Sequence, residues 1–192
     1  MKIHELLTEL FSPSFKPAPE NNWRMSEKTH DLIQYRFDID KKRYVVTFTP
    51  MAGIGPSIQR VEFGLLDRHG SQEWGLTGTG DSTLVMELVY YTIIQATSAP
   101  EVKGMFCTAK EPTRQKLYAK MSQRLATATG WIIRSDLAEW LDNNRAENPY
   151  LVIEKEFADR LEKIKEKEGD AAKHPPLVRQ PDTFGQLPVR FD

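Results

Sequence analysis

The chain has 192 residues, 40% of them hydrophobic, which suffices for one buried core with terminal extensions and excludes a second domain of ordinary size. Its 26 Lys and Arg stand against 27 Asp and Glu, and a net charge of -1 gives no field that would draw the chain to nucleic acid or to an anionic membrane. No apolar run reaches the roughly 18 residues that span a bilayer, a single Cys107 excludes an internal disulfide, and His4, His30, His69 and His174 lie too far apart for metal-ligand spacing.

From the N-terminus, Ile3, Leu6, Leu7 and Leu10 fall at helical spacing, so Met1 to Phe11 predicts a short amphipathic helix. Pro13, Pro17 and Pro19 make the stretch to Asn22 an extended connector. Ile33, Tyr35, Phe37 and Ile39 alternate with polar residues, and after a turn at Asp40 to Lys42 the pattern resumes in Tyr44, Val46 and Phe48: a half-buried antiparallel hairpin. A loop from Pro50 to Pro56 leads to a third strand, Ile58 to Asp67, with Val61, Phe63 and Leu65 inward. Glu73 to Thr77 predicts a short fourth strand.

Gly75, Gly78 and Gly80 follow, just ahead of a run that is apolar on nearly every side, LVMELVYYTII. Glycines at a helix N-terminus allow backbone amides to face an anion, so Thr77 to Ser82 is a candidate phosphate cradle. Asp81 or Ser82 capping the helix is the plainer use of the same residues. The helix, Thr83 to Thr97, should be buried on most of its surface and end near Pro100. Residues 102 to 109 predict a buried strand, parallel to the strand before the helix. Pro112 opens a further helix that Gly130 closes, with Leu117, Met121 and Leu125 on one face and Lys116, Lys120 and Arg124 on a basic stripe read as solvated. Trp131 to Ile133 is a strand, Asp136 to Asn144 a short helix, and Tyr150 to Ile153 the last strand. Phe157, Leu161 and Ile164 mark a charged surface helix. The expected core includes Leu84, Leu88, Ile94, Phe106, Leu117 and Leu125. Trp74 and Cys107 read as core side chains.

This order of elements resembles the GNAT N-acetyltransferases. The segments Thr77-Gly-Thr-Gly-Asp81 and Glu111-Pro-Thr-Arg-Gln-Lys-Leu-Tyr118 are most similar to GNAT-like proteins of tailed bacteriophages, and the resemblance covers about residues 31 to 153. It implies an α+β fold: a mixed, mainly antiparallel twisted sheet with a buried central helix, here extended by N- and C-terminal arms. It divides the chain into residues 1–22, a domain at 23–168, and an arm at 169–192. The resemblance also implies that strands flanking the central helix splay to admit the pantetheine arm of acetyl-CoA. Its phosphates would lie at Thr77, Gly78, Thr79, Gly80, Asp81 and Ser82, with Tyr118 as general acid and Glu62 or Glu73 as base. Three positions depart from the family pattern. Gly75 stands where the family has Gln or Arg, the turn at Asp40 to Lys42 replaces two helices that shape the acceptor site, and Asp81 carries negative charge toward the cradle. Two like charges about 4 Å apart repel by roughly 4 kcal/mol at an effective dielectric of 20.

Two readings of function follow. One is a GNAT-like scaffold that serves as a structural or assembly component of a tailed-phage particle, made in the host cytoplasm and incorporated into the virion. It would bind other polypeptides through Met1 to Phe11 and Pro175 to Asp192, with neither nucleic acid nor membrane as partner. A short helix and a proline-bearing strand both need an external surface to lie on. The alternative is an active N-acetyltransferase using acetyl-CoA.

Overall fold

In a computed structural model of the chain, the residues described are 16–29, 31–66, 72–73, 82–109, 112–142 and 148–171. Eight strands form one sheet: β1 (Arg24–Lys28), β2 (Ile33–Ile39), β3 (Lys42–Met51), β4 (Gly55–Leu66), β5 (Gln72–Glu73), β6 (Gly104–Thr108), β7 (Ile132–Ile133) and β8 (Pro149–Ile153). Among the described residues four α-helices join them: α1 (Ser82–Thr97), α2 (Pro112–Thr129), α3 (Ser135–Leu141) and α4 (Lys155–Ala171). The sheet order is β1-β2-β3-β4-β6-β8-β7, with β5 beside β4. Every pairing is antiparallel except β4 with β6. A mixed, mainly antiparallel sheet around a buried central helix is the architecture expected from the sequence.

Local chemistry accounts for the elements. Ile39 and Lys42 pair across a two-residue hairpin turn in which Asp40 and Lys41 both take positive φ, +48° and +64°. That geometry matches the right-handed twist of the strands it joins. At the next corner Gly53 and Gly55 take φ of +83° and +79°, a conformation that costs a side-chain-bearing residue more than glycine. Strand alternation then sorts side chains onto two faces. Tyr35, Phe37, Val46, Phe48, Val61 and Met105 lie beneath α1 and α2. Ile58, Phe106, Leu151 and Ile153 form a second cluster with Leu137 of α3 and Leu161 of α4.

Helix α1 is the spine that its composition predicts. Val85, Met86, Leu88, Val89, Tyr90 and Ile93 are buried, and between residues 83 and 97 only Gln95 is fully exposed. Of the expected core, Leu88, Phe106, Leu117 and Leu125 are buried, while Leu84 and Ile94 are half-buried against it. The one polar side chain deep in α1 is satisfied twice. Trp23 Nε1 donates to Thr92 Oγ1 at 2.9 Å, and Thr92 Oγ1 donates to the Leu88 carbonyl at 2.6 Å. Trp23 also stacks on Tyr35 at 5.2 Å, so the entry to the domain is clasped to both the sheet and the spine.

β1 occupies a stretch for which the sequence predicts no element; all five of its residues are exposed, so no apolar alternation announces it. Three expectations need correction. The parallel partner of β6 is β4, through Ile58, Gln59 and Arg60, rather than the strand expected at Glu73 to Thr77. Of that strand only Glu73 is described; with Gln72 it forms β5, which pairs antiparallel with β4. The basic stripe is not wholly solvated, because Arg124 is half-buried and close enough to Tyr90 to counteract part of the burial effect on that phenol. The connector expected to be extended as far as Asn22 instead closes in a 3-10 turn at Pro19–Asn21, while Met1 to Phe11 and Pro175 to Asp192 lie outside the described residues.

Candidate active site

The parallel pairing of β4 with β6 is short. It runs from Ile58 with Gly104 to Arg60 with Phe106, yet β4 continues to Leu66 and β6 to Thr108. The other edge of β4 belongs to β3 throughout, and on the β6 side the next partner of β4 is β5, at Leu65 and Leu66.

Tyr118 of α2 lies against β4 and β8. Its ring centroid is 6.0 Å from that of Phe63 on β4 and 6.5 Å from that of Tyr150 on β8, the two strands that flank β6. The side chain is 7% exposed. Leu117 and Met121 beside it are buried, which fixes the helix face that carries the tyrosine. Tyr150 is anchored in turn, its Oη donating to the Gln115 carbonyl at 3.0 Å. Burial, and then the neighbouring Cys107, raise the Tyr150 pKa above the ordinary phenol value. Neither Phe63 nor Tyr150 stands out as a site residue in the sequence; only the strand order, with β8 next to β6, brings them to the tyrosine.

The two candidate bases separate. Phe63 faces Tyr118, so its neighbour Glu62 projects from the opposite face of the sheet. Glu62 there stands across from Thr47, whose buried Oγ1 has no hydrogen-bond partner among the described residues. Glu73 instead pairs in register with Leu65, a residue packed against the core on the Tyr118 side. Directly paired residues share a face, so the register position of Glu73, and not that of Glu62, is on the Tyr118 side. Ser82 begins α1; Thr77, Gly78, Thr79, Gly80 and Asp81, together with Trp74, lie outside the described residues.

The vertex at which the β4–β6 pairing ends is closed. On the Tyr118 side a void of about 10 Å³, roughly the room of one water, is lined by Val61, Ile93, Met105, Cys107, Met121 and Ser122 among others. On the far side Arg60 lies over the Phe106 ring at 5.1 Å and pairs with Asp142 at 2.6 Å. Cys107 is buried, as expected, and burial pushes its thiol up to about 12, which removes it as a nucleophile near neutrality. Among the described residues no group of His, Cys, Asp and Glu is arranged to hold a metal ion, and no helix is long and apolar enough to cross a membrane.

No protein-family model and no curated protein matches the chain. Among solved structures it is similar to the aminoglycoside acetyltransferase AAC(6')-Ib in complex with ribostamycin and coenzyme A, at 14% identity over 68% of each chain, with a TM-score of 0.39. A second structure of that enzyme, with paromomycin and acetyl-CoA, gives 14% identity over 68% of this chain and 69% of that one, and 0.39. A third, with coenzyme A, gives 13%, 68%, 70% and 0.38. A likeness at that identity and score leaves the fold to be described by the chain's own topology.

Proposed function

We propose that the chain binds an acyl-CoA thioester beside Tyr118, where the parallel pairing of β4 with β6 ends, and transfers its acyl group to an amine. The observation that carries this reading is the Tyr118 ring set against Phe63 of β4 and Tyr150 of β8, the strands on either side of β6. The glycine stretch between β5 and α1 would hold the phosphates at the amides of Thr77 to Ser82.

When bound, acetyl-CoA supplies an acyl group on a thioester, whose carbon-sulfur bond breaks as the carbon-nitrogen bond forms. Tyr118 serves as the acid that gives its hydroxyl proton to the departing sulfur. Glu73, by its register position, serves as the base for the amine proton, and Glu62 drops out. Phe63 and Tyr150 hold the Tyr118 ring in place and keep water from it. Release of free thiol from acetyl-CoA, measured with an amine acceptor, tests this reading; no release above the uncatalysed rate with any of a panel of primary amines overturns it.

A second reading has its own support. The 7% exposure of Tyr118 and the closed vertex fit a GNAT-like scaffold that has given up catalysis. On that reading the chain is a structural component of a tailed-phage particle and meets other polypeptides through Met1 to Phe11 and Pro175 to Asp192. Limited proteolysis of the isolated chain should then clip both ends and leave residues 23–168 intact, with the ends protected in the assembly.

A further inference from the structure

On the face of the sheet away from α1 and α2, strand alternation sets three rows across β2, β3 and β4: Gln34, Thr47 and Glu62, then Arg36, Val45 and Gly64, then Asp38, Arg43 and Leu66. Helices α3 and α4 cover another part of this face. Their cluster takes in Ile58 and Phe106 but, among the described residues, reaches β3 only at Met51. Val45 is nonetheless 0% exposed, and Thr47 and Gly64 are buried beside it, although Val45 belongs to neither core cluster. Gly64 brings no side chain to shelter it. Thr47 Oγ1 is buried with no hydrogen-bond partner among the described residues, and a hydroxyl in that state calls for a lining completed from elsewhere.

The chain enters the domain at the rim of this face. Asn21 Nδ2 donates to the Asp38 carbonyl at 3.4 Å, and Asn22 Nδ2 to the Asp38 carboxylate at 2.9 Å. From Lys16, where the described residues begin, back to Phe11 is at most about 17 Å of extended chain, and Asp38 and Gln34 are about 13 Å apart along β2. All three rows are within reach of the segment Met1 to Phe11. As the helix that its spacing predicts, the segment is about 16 Å long and about 10 Å wide, which matches the span of about 10 Å from β2 to β4. Charge agrees with size. Half-buried Arg36 bonds through Nε to Gln34 Oε1 at 3.0 Å and has no ion-pair partner among the described residues. Glu9 borders the apolar stripe of Ile3, Leu6, Leu7 and Leu10.

We infer that this face is the docking surface for the chain's own segment Met1 to Phe11. The segment lies across β2, β3 and β4 as a helix, with its apolar stripe on Val45, Thr47, Gly64 and Leu66 and with Glu9 at Arg36. The inference is independent of acyl transfer, which concerns the opposite face. It departs from the scaffold reading in one result: the N-terminal end resists protease in the isolated chain, which leaves Pro175 to Asp192 to meet other polypeptides.

Thiol labelling of the full chain tests the inference. Cys107 is buried and stays silent, so Thr47→Cys places one reporter thiol under the docked helix. That thiol labels slowly at every protein concentration. Leu6→Asp together with Leu10→Asp speeds labelling at least about tenfold, because two buried leucines contribute more free energy than a factor of ten requires. Glu9→Arg also speeds it, and adding Arg36→Glu restores the slow rate, which a general loosening of the fold would not do. Leu187→Asp in the other arm changes nothing. The inference is overturned by a rate that the N-terminal substitutions leave unchanged, by a charge swap without rescue, or by acceleration in Leu187→Asp. Protection that grows with protein concentration also overturns it, since a second copy would then supply the cover.

Discussion

Glu62 and Tyr118 stand on opposite faces of the sheet: the side chain next to Glu62 along β4, Phe63, is the one whose ring meets Tyr118. A carboxylate so placed cannot share a reacting centre with the tyrosine unless the strand slips by one residue, which would also expose Val61 and Phe63. Under the acyl-transfer reading, Glu62→Gln therefore leaves the rate of thiol release within about twofold of the parent, whereas Tyr118→Phe and Glu73→Gln each lower it by about a hundredfold or more. Equal losses in all three variants would mean that the far face takes part.

Trp23 and Thr92 are 69 positions apart and joined by one hydrogen bond inside the core. Trp23→Phe should cost about 1 kcal/mol for that bond in addition to lost packing. Thr92→Val leaves the indole N–H without its acceptor. A double-mutant cycle by urea unfolding isolates the shared part, expected at about 0.5 to 1.5 kcal/mol. A coupling energy near zero would show that the clasp is packing alone.

The alternation in IQRVEFGLL that turns Val61, Phe63 and Leu65 inward also turns Glu62 away, so half of the geometry, the face of Glu62, follows from the order of residues along one strand once that strand is placed. The other half does not. Placing Glu73 depends on which strand it pairs with, a long-range choice to which local periodicity is blind. The spine helix is legible because its apolar residues leave no solvent face, and the hairpin at Asp40 and Lys41 because both flanking strands alternate. β1 is illegible for the opposite reason: an edge strand with every side chain in water needs no apolar code. Its register bulge between Met25 and Glu27 cannot be read from five polar-leaning residues either.

The hairpin turn offers a gain in stability. Lys41 holds φ of +64°, which glycine adopts without the steric cost borne by a side chain. Lys41→Gly should raise the unfolding free energy by about 0.5 to 1 kcal/mol, measured as a higher urea midpoint with unchanged slope. A lower midpoint would mean that the Lys41 side chain makes a contact worth more than the turn strain.

Acid stability has a local contributor. Arg134 grips Asp136 through two hydrogen bonds, 2.9 and 2.8 Å, and also reaches Glu162 at 2.9 Å, tying α3 to α4. The hydrogen bonds from Arg134 hold the Asp136 carboxyl down to about 2 from an ordinary 3.8. A carboxyl whose pKa is lower when folded adds stability above about pH 4 and loses it as the pH falls toward 2. Because Asp136 is half exposed, solvent screening limits the contribution to about 0.5 to 1 kcal/mol. Asp136→Asn should thus flatten the stability profile between pH 4 and 2 relative to the parent, and an unchanged slope would contradict the assignment.

The Tyr118 ring between Phe63 of β4 and Tyr150 of β8 is the basis for placing a coenzyme there, and calorimetric titration of coenzyme A into the full chain tests that placement most directly. The predicted result is saturable binding at one site per chain, with backbone amide shifts on binding centred on residues 61–64 and on the segment from Thr77 to Ser82. No saturable heat up to millimolar coenzyme A, or binding whose shifts leave residues 61–64 unmoved, would contradict it.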